Sequence, residues 1–259
     1  MARSIEFNFS HVFDGIVWKT VAVPEKNMLV LEVRNSDKKR ATFSALDSRT
    51  GQFHWRDILF DEPWWISLGA AAGDVVIFTL YLETNNPDKK AVFAYHLLDR
   101  KILWWNNDYS LVSVSNVHVK GISSKYGSRS VTLDLLTGNE VSGVGVIYET
   151  LDRVVRPHQY LADNEYFATV KTFLERKFNL VPVTALEYLE HDSIIFVSLY
   201  VQEDELANYL LIMSSEGKVL LQEKLDEHLK GIGLDTFFVF SGCVFFAKNK
   251  AELVSYRIV

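Results

Sequence analysis

The chain has one cysteine, Cys243. No internal disulfide can form, so nothing ties the protein to an oxidising compartment. No apolar run approaches the roughly 18 residues of a membrane-crossing helix. The longest runs, Ser193 to Val201 and Thr236 to Ala247, contain serine or glycine and have strand length. The opening MARSIEFNFSHVF interrupts its apolar residues with polar ones and lacks the continuous core of a secretion signal. Basic residues are outnumbered, 27 against 33 acidic for a net charge of −6, and phosphate binding asks for a basic surface. The expectation is a cytoplasmic protein with neither nucleic acid nor membrane as partner. An exported chain that has lost its leader would read the same way.

Catalytic patterns are missing as well. The histidines are scattered, none stands four residues from another, and there is no His-Glu-x-x-His. There is no Gly-x-Ser-x-Gly elbow and no phosphate-cradling glycine loop; Gly143-Val144-Gly145 is too short to act as one. Carboxylates such as Glu187, Glu190, Asp192, Glu203, Asp204 and Glu205 are plentiful, and as loop charges they are solvated. No catalytic residue, metal or cofactor is assigned, and the enzyme question leans to no.

What the chain has in quantity is apolar and aromatic residues, 48% and 13%. That is enough for a large core and excludes disorder. Its organising stretch is Thr42 to Trp55, TFSALDSRTGQFHW. The residues up to Asp47 read as a strand, Asp47 to Gly51 as a turn with side-chain acceptors and a glycine suited to positive φ, and Gln52 to Trp55 as a second strand. Thr132 to Gly138 repeats Ala45 to Gly51 with Leu, Asp, Thr and Gly in register; Trp104 falls on Trp55, and Gly217 on Gly51. The copies stand at one or two multiples of roughly forty-odd residues, each span reading as about four strands, which is the arithmetic of a propeller blade. The last set stops after three strands, at Gly233 to Phe240, Cys243 to Lys248 and Leu253 to Val259. Ser4 to Ser10, alternating Ile5, Phe7 and Phe9 with polar residues, is the spare strand that would complete it.

The expected fold is all-β. It is a β-propeller of about five to six four-stranded blades in one domain over 1–259, its ring closed by the N-terminal strand. Residues 143–183 break the period. Within them, Asp163 to Phe178 reads as a helix capped by Asp163, with Tyr166, Phe167, Val170, Phe173, Leu174 and Phe178 at helical spacing.

Ala45, Asp47, Thr50, Gly51 and Trp55 match the Ala-x-Asp-x-x-Thr-Gly-x-x-x-Trp pattern of the quinoprotein-like propellers, which this repeat resembles over about a third of the chain. In that family the tryptophan packs between blades. In layout the chain resembles an uncharacterised propeller-like family of Bacteroidetes bacteria known as a domain of unknown function. The repeat alone is also similar to that of the outer-membrane assembly propeller, but no lipidation cysteine stands near this N-terminus. The resemblance does not imply a quinone cofactor, since the adjacent cysteines of quinone-dependent dehydrogenases cannot be made from one.

Two stretches are candidate ligand sites. Trp64 and Trp65 are neighbours, and side chains of neighbouring strand residues face opposite ways, so one can be core while the other faces a neighbouring blade, the channel or solvent, either packing between blades or serving as an aromatic platform. Arg156, His158, Gln159 and Tyr160 cluster beside Pro157 in extended backbone and could point into a propeller channel. The leading function is a non-catalytic scaffold or binding module for a protein or small ligand. The alternatives are a hydrolase or lyase using Arg156, His158 and an acidic residue, and a sugar-binding lectin using Trp64 or Trp65.

Overall fold

The computed structural model describes residues 3–83, 85–125, 127–142 and 153–259. The Gly143–Gly145 stretch and the first part of the irregular 143–183 span lie outside them. Strand β1 is Ile5–Val12. It is followed by β2 (Ile16–Val23), β3 (Met28–Asn35), β4 (Arg40–Asp47), β5 (Phe53–Ile58), β6 (Ile66–Ala72), β7 (Val75–Tyr81), β8 (Lys90–His96) and β9 (Lys101–Asn107). Then come β10 (Tyr109–Val114), β11 (His118–Ser123), β12 (Arg129–Asp134), β13 (His158–Leu161) and helix α1 (Glu165–Phe178). The chain continues with β14 (Pro182–His191), β15 (Ile194–Gln202), β16 (Leu206–Ser214), β17 (Val219–Leu229), β18 (Phe237–Phe240), β19 (Cys243–Lys248) and β20 (Glu252–Ile258).

Contacts divide the chain into two compact units. The first holds Met1–Phe13, Arg49–Gly51 and Val154–Val259; the second holds Asp14–Ser48 and Gln52–Arg153. In the second unit β2 to β5 and β6 to β9 form four-stranded antiparallel sheets in sequence order, and β10 to β12 a three-stranded one. The third is short because the chain after Gly138 makes a lone bridge, Glu140 opposite Leu133. Ser142 stands there in place of the motif tryptophan. In the first unit β13 to β17 form five strands, and the other sheet runs β1-β20-β19-β18. Ile5 faces Ile258 and Val12 faces Glu252, so the N-terminal strand completes the C-terminal sheet, as the open edge required. These meander sheets place the fold in the all-β, β-propeller class.

Two sequence boundaries move. The helix cap is Asn164, whose side chain accepts the Tyr166 N–H, and not Asp163. Gly233 to Thr236 are not strand; β18 starts at Phe237 because buried groups of the neighbouring sheet take the amides of Gly233, Asp235 and Thr236.

The turn repeat has a common hydrogen-bond plan. Ser48, Leu97, Leu135 and Ser215 each donate a backbone N–H across the hairpin beside them, to Asn27, Asp74, Val117 and Ser193, at 2.7–3.1 Å. The carbonyls of Leu97 and Leu135 then accept the indole N–H of Trp55 and Trp104 from the preceding sheet, at 2.7 and 2.9 Å. Trp55 and Trp104 are therefore equivalent, and each buries an indole between sheets with its one donor satisfied. Gly138, at φ +70°, lies under Trp104, where a Cβ would stand 2.5 Å from the ring. Gly51, at φ +72°, lies in the same way under Phe9 of β1, at 2.4 Å. Phe9 thus fills the place that a tryptophan fills elsewhere.

Asp134 shapes its turn by accepting from the Leu136 and Thr137 amides and the Thr137 hydroxyl at 2.8–3.1 Å. The Thr137 amide first, then its hydroxyl, hold the Asp134 carboxyl below the usual carboxylate range. Asp134→Ala is expected to cost about 1 kcal/mol at neutral pH. A carboxyl with a depressed folded-state pKa stabilises above its unfolded value and loses that contribution as pH falls through the folded one. Urea curves of wild type and variant should therefore converge in acid.

Candidate functional site

Trp18 of β2 and Trp64, just before β6, flank one guanidinium near the end of β3, and Trp65 follows Trp64 in sequence. A bulge between Val17 and Lys19 interrupts the β2–β3 register. Bulges re-aim side chains, and Trp18 here is 62% exposed. Behind it lies Arg34 of β3, its guanidinium carbon 5.7 Å from the Trp18 ring centre and 5.1 Å from that of Trp64. The guanidinium donates to Glu32 Oε1 at 2.5 Å, to the Trp64 carbonyl at 3.1 Å and to the Ile66 carbonyl at 2.8 Å. Glu32 is fully buried, and its second oxygen accepts from Ser67 Oγ at 2.9 Å and the Leu68 amide at 2.6 Å. The Arg34 cation is thus fixed between two indoles by a carboxylate whose acceptors are engaged. Nearby, Lys19 donates to the Gly69 carbonyl at 2.9 Å; burial pushes its ammonium down, and Glu32 opposes that.

Trp64 and Trp65 precede β6 and do not lie within it. Glu62 Oε1 accepts both their amides at 2.9 Å, which sets the corner. The two rings still part company. Trp64 is half-buried between Arg34 and the Lys39 ammonium, 5.1 Å from its ring centre. Trp65 is 42% exposed and packs edge-on to Tyr81 at 6.3 Å, with the Lys90 ammonium 5.3 Å from the tyrosine ring. The site is therefore an exposed Trp18 backed by a guanidinium, a half-buried Trp64 under the Lys39 ammonium, and an exposed Trp65 against Tyr81, which carries the Lys90 ammonium. This is stacking and charge chemistry.

The other candidate stretch lies in the first unit. Val155 bridges to Val239, and β13 pairs His158 with Tyr188. Arg156 faces Asp235 at 3.4 Å, both partly exposed. His158 is exposed and edge-on to Tyr160, ring centres 4.6 Å apart, and Tyr160 leans on Tyr166 of α1 at 5.5 Å. Gln159 donates to the Gly233 carbonyl at 2.7 Å. Arg156 and Gln159 thus converge on the segment before β18, while His158 and Tyr160 turn to the helix side. Below that segment sits Glu187, fully buried, accepting from the Asp235 amide at 2.6 Å, the Thr236 amide at 2.9 Å and Thr236 Oγ1 at 2.5 Å. Burial pushes the Glu187 carboxyl up, against those donors.

Glu32 and Glu187 do the same work in the two units. Each is a buried carboxylate on one sheet that accepts from a hydroxyl and from backbone amide at the next sheet: Ser67 and the Leu68 amide within β6 for Glu32, Thr236 and the two amides before β18 for Glu187. Sequence reasoning missed Glu32, Trp18 and Arg34 and placed Glu187 among solvated charges. A signal existed for Glu32, a lone acid inside MLVLEV; a charge in such a run is buried and must be paired. Among the described residues, no cluster of three or more His, Cys, Asp or Glu is arranged to hold a metal ion. Among them, too, no helix is long and apolar enough to cross a membrane.

With sheets and site described, the chain stands in the β-propeller class. The family described as Domain of unknown function (DUF4905) matches residues 22–104, which run from the end of β2 into β9 and hold Trp64 and Trp65 but not Trp18. No curated protein matches. Among solved structures the chain is similar to BamB from Moraxella catarrhalis, at 10% identity and TM-score 0.35, over 93% of this chain and 85% of that one. It is also similar to the β-propeller domain of the Trilobed protease from Pyrococcus furiosus, at 10% identity and TM-score 0.35, over 94% and 65%. A third is TolB from Acinetobacter baumannii, at 13% identity and TM-score 0.33, over 83% of this chain and 45% of that one.

Proposed function

We propose that the chain is a non-catalytic binding module, one propeller domain over 1–259, whose working surface is the aromatic and basic end of the second unit. The observation that carries this is Trp18, 62% exposed and backed by a guanidinium held by three hydrogen bonds. A large apolar side chain left in water forgoes on the order of 1.5–3 kcal/mol of burial. Folding alone gives no reason to brace an indole in that position, whereas a ligand that covers it does. Trp65 and Tyr81 extend the same surface, and the ligand is a protein segment or a small molecule, sugars included.

A hydrolase or lyase built on Arg156, His158 and an acidic residue is the second reading, favoured by the carboxylate of Asp235 beside Arg156. Kinship with the quinoprotein-like propellers belongs to the proposal through the Thr50-Gly51 and Trp55 motif, and an origin in Bacteroidetes through the layout of the whole chain. A cytoplasmic location belongs to it through the single free thiol, Cys243. The acidic net charge leaves nucleic acid and membranes out of the proposed partners.

The test is a thermal-shift panel of saccharides, peptides, nucleotides and metal ions on the full chain and on Trp18→Ala. The expected result is a class of compound that raises the midpoint of the wild type and not of the variant. A panel that shifts neither protein, or both alike, overturns the assignment to this surface.

A further inference from the structure

Resting on that reading, we infer that the ligand of the Trp18 surface is an acidic saccharide, a chain carrying uronate carboxylates. Three observations converge on it. The first is the kind of aromatic surface. One side of Trp18 is turned to Arg34, and the residue remains 62% exposed, so its other side is a flat open platform. Trp65 is a second platform, 42% exposed, beside Tyr81. Open indole faces stack on the C–H face of a pyranose, which brings its own hydroxyls for water and needs no deep pocket.

The second is the sign of the charge. The Lys38-Lys39-Arg40 tip is basic on a chain of net charge −6. The Lys39 ammonium is already over Trp64, at the rim of the stacking surface. An ammonium there favours a carboxylate over a neutral sugar.

The third is how little of that charge is free. Arg34 is saturated by Glu32 and two carbonyls. Lys38 is paired with Asp14, whose carboxyl the pair holds below its usual range. Glu62 sits at the corner under Trp64. A nucleic-acid strand carries a phosphate per nucleotide and needs a track of unpaired cations. A surface with few free cations suits a ligand whose negative charges are sparser than a phosphate per nucleotide, and the acids beside it set a limit on that charge.

The experiment is isothermal titration of the full chain with galacturonate oligosaccharides, the matching neutral galactose oligosaccharides, an acidic peptide and oligo-dT. Trp18→Ala and Lys39→Met are run in parallel. Trp18 is exposed, so both variants should melt like the wild type. The expected result is saturable binding of the uronate chain, weakened about tenfold or more by Trp18→Ala, weakened also by Lys39→Met and by salt, with the neutral chain binding less. If the neutral sugar, the peptide or oligo-dT binds better in a Trp18-dependent way, the surface stands and the acidic-saccharide assignment is overturned. If uronate binding is absent, or unaffected by Trp18→Ala, this inference is overturned; if no compound on either panel shows Trp18 dependence, the reading of the surface falls with it.

Discussion

Glu187→Ala is expected to lower the unfolding free energy by about 2–4 kcal/mol, the cost of leaving two amide donors without their acceptor. The argument is an accounting of donors. The Asp235 and Thr236 amides both end on the Glu187 carboxylate, and the Thr236 hydroxyl is shared between it and Ser198 Oγ at 2.7 Å. Alanine leaves two part-buried backbone donors without their acceptor, each costing about 1–3 kcal/mol, and opens a cavity where the buried side chain stood. Against this, removing the carboxylate also removes the cost of burying it, which is why that carboxyl is pushed up. The loss of acceptors for several donors outweighs the relief of one charge.

The pH dependence follows in sign. A carboxyl whose folded-state pKa is raised binds its proton more tightly in the native state. Its contribution to stability is full below the unfolded value and is lost as pH rises through the folded one. The gap between wild type and Glu187→Ala should therefore narrow on going from acid to neutral pH, the opposite of Asp134→Ala. Urea denaturation across that range reads the gap, and amide exchange at Asp235 and Thr236 should accelerate in the variant. A gap below about 1 kcal/mol would mean that water replaces the carboxylate and that the segment before β18 is not held by it.

Trp55→Ala is expected to cost about 3–5 kcal/mol, the range for large aromatic truncations in a core. Trp55 is 5% exposed, stands edge-on to Tyr95 at 6.3 Å, and donates to the Leu97 carbonyl at 2.7 Å. Trp55→Phe keeps most of the buried area and drops the donor, and should cost about 1–2 kcal/mol, the size of one buried hydrogen bond with its acceptor left unmade. The difference between the two variants separates packing from hydrogen bonding. Midpoint and slope of urea unfolding give both values. Equal costs would show that the indole N–H, and not the ring, holds the two sheets together.

The sequence and the structure agree most closely at the turn repeat. Asp47 to Gly51, Asp134 to Gly138 and Gly217 could be read because turn chemistry is local: a carboxylate binds amides two and three residues on, and glycine meets a positive φ. The helix at Glu165–Phe178 could be read because its apolar residues recur at 3.6. Its cap was misplaced by one residue, since Asp163 and Asn164 are both competent and only the geometry chooses. The candidate residues were legible in part. Trp64 and Trp65 stood out as a pair, while Trp18, with no aromatic neighbour in sequence, did not.

From its own order of residues the protein determined the strand-rich class, the repeat, the helix and the pairing of its first strand with its last. Periodicity, turn chemistry and the cost of an open edge act over a few residues or on the chain as a whole, and both can be counted without coordinates. Tertiary structure alone decided which groups meet. It set Phe9 over Gly51, put Arg34 between Trp18 and Trp64, and seated Glu32 and Glu187 under amides 36 to 49 residues away. Those contacts depend on which face of one sheet meets the next, and a charge buried there looks, in the sequence, like any other charge.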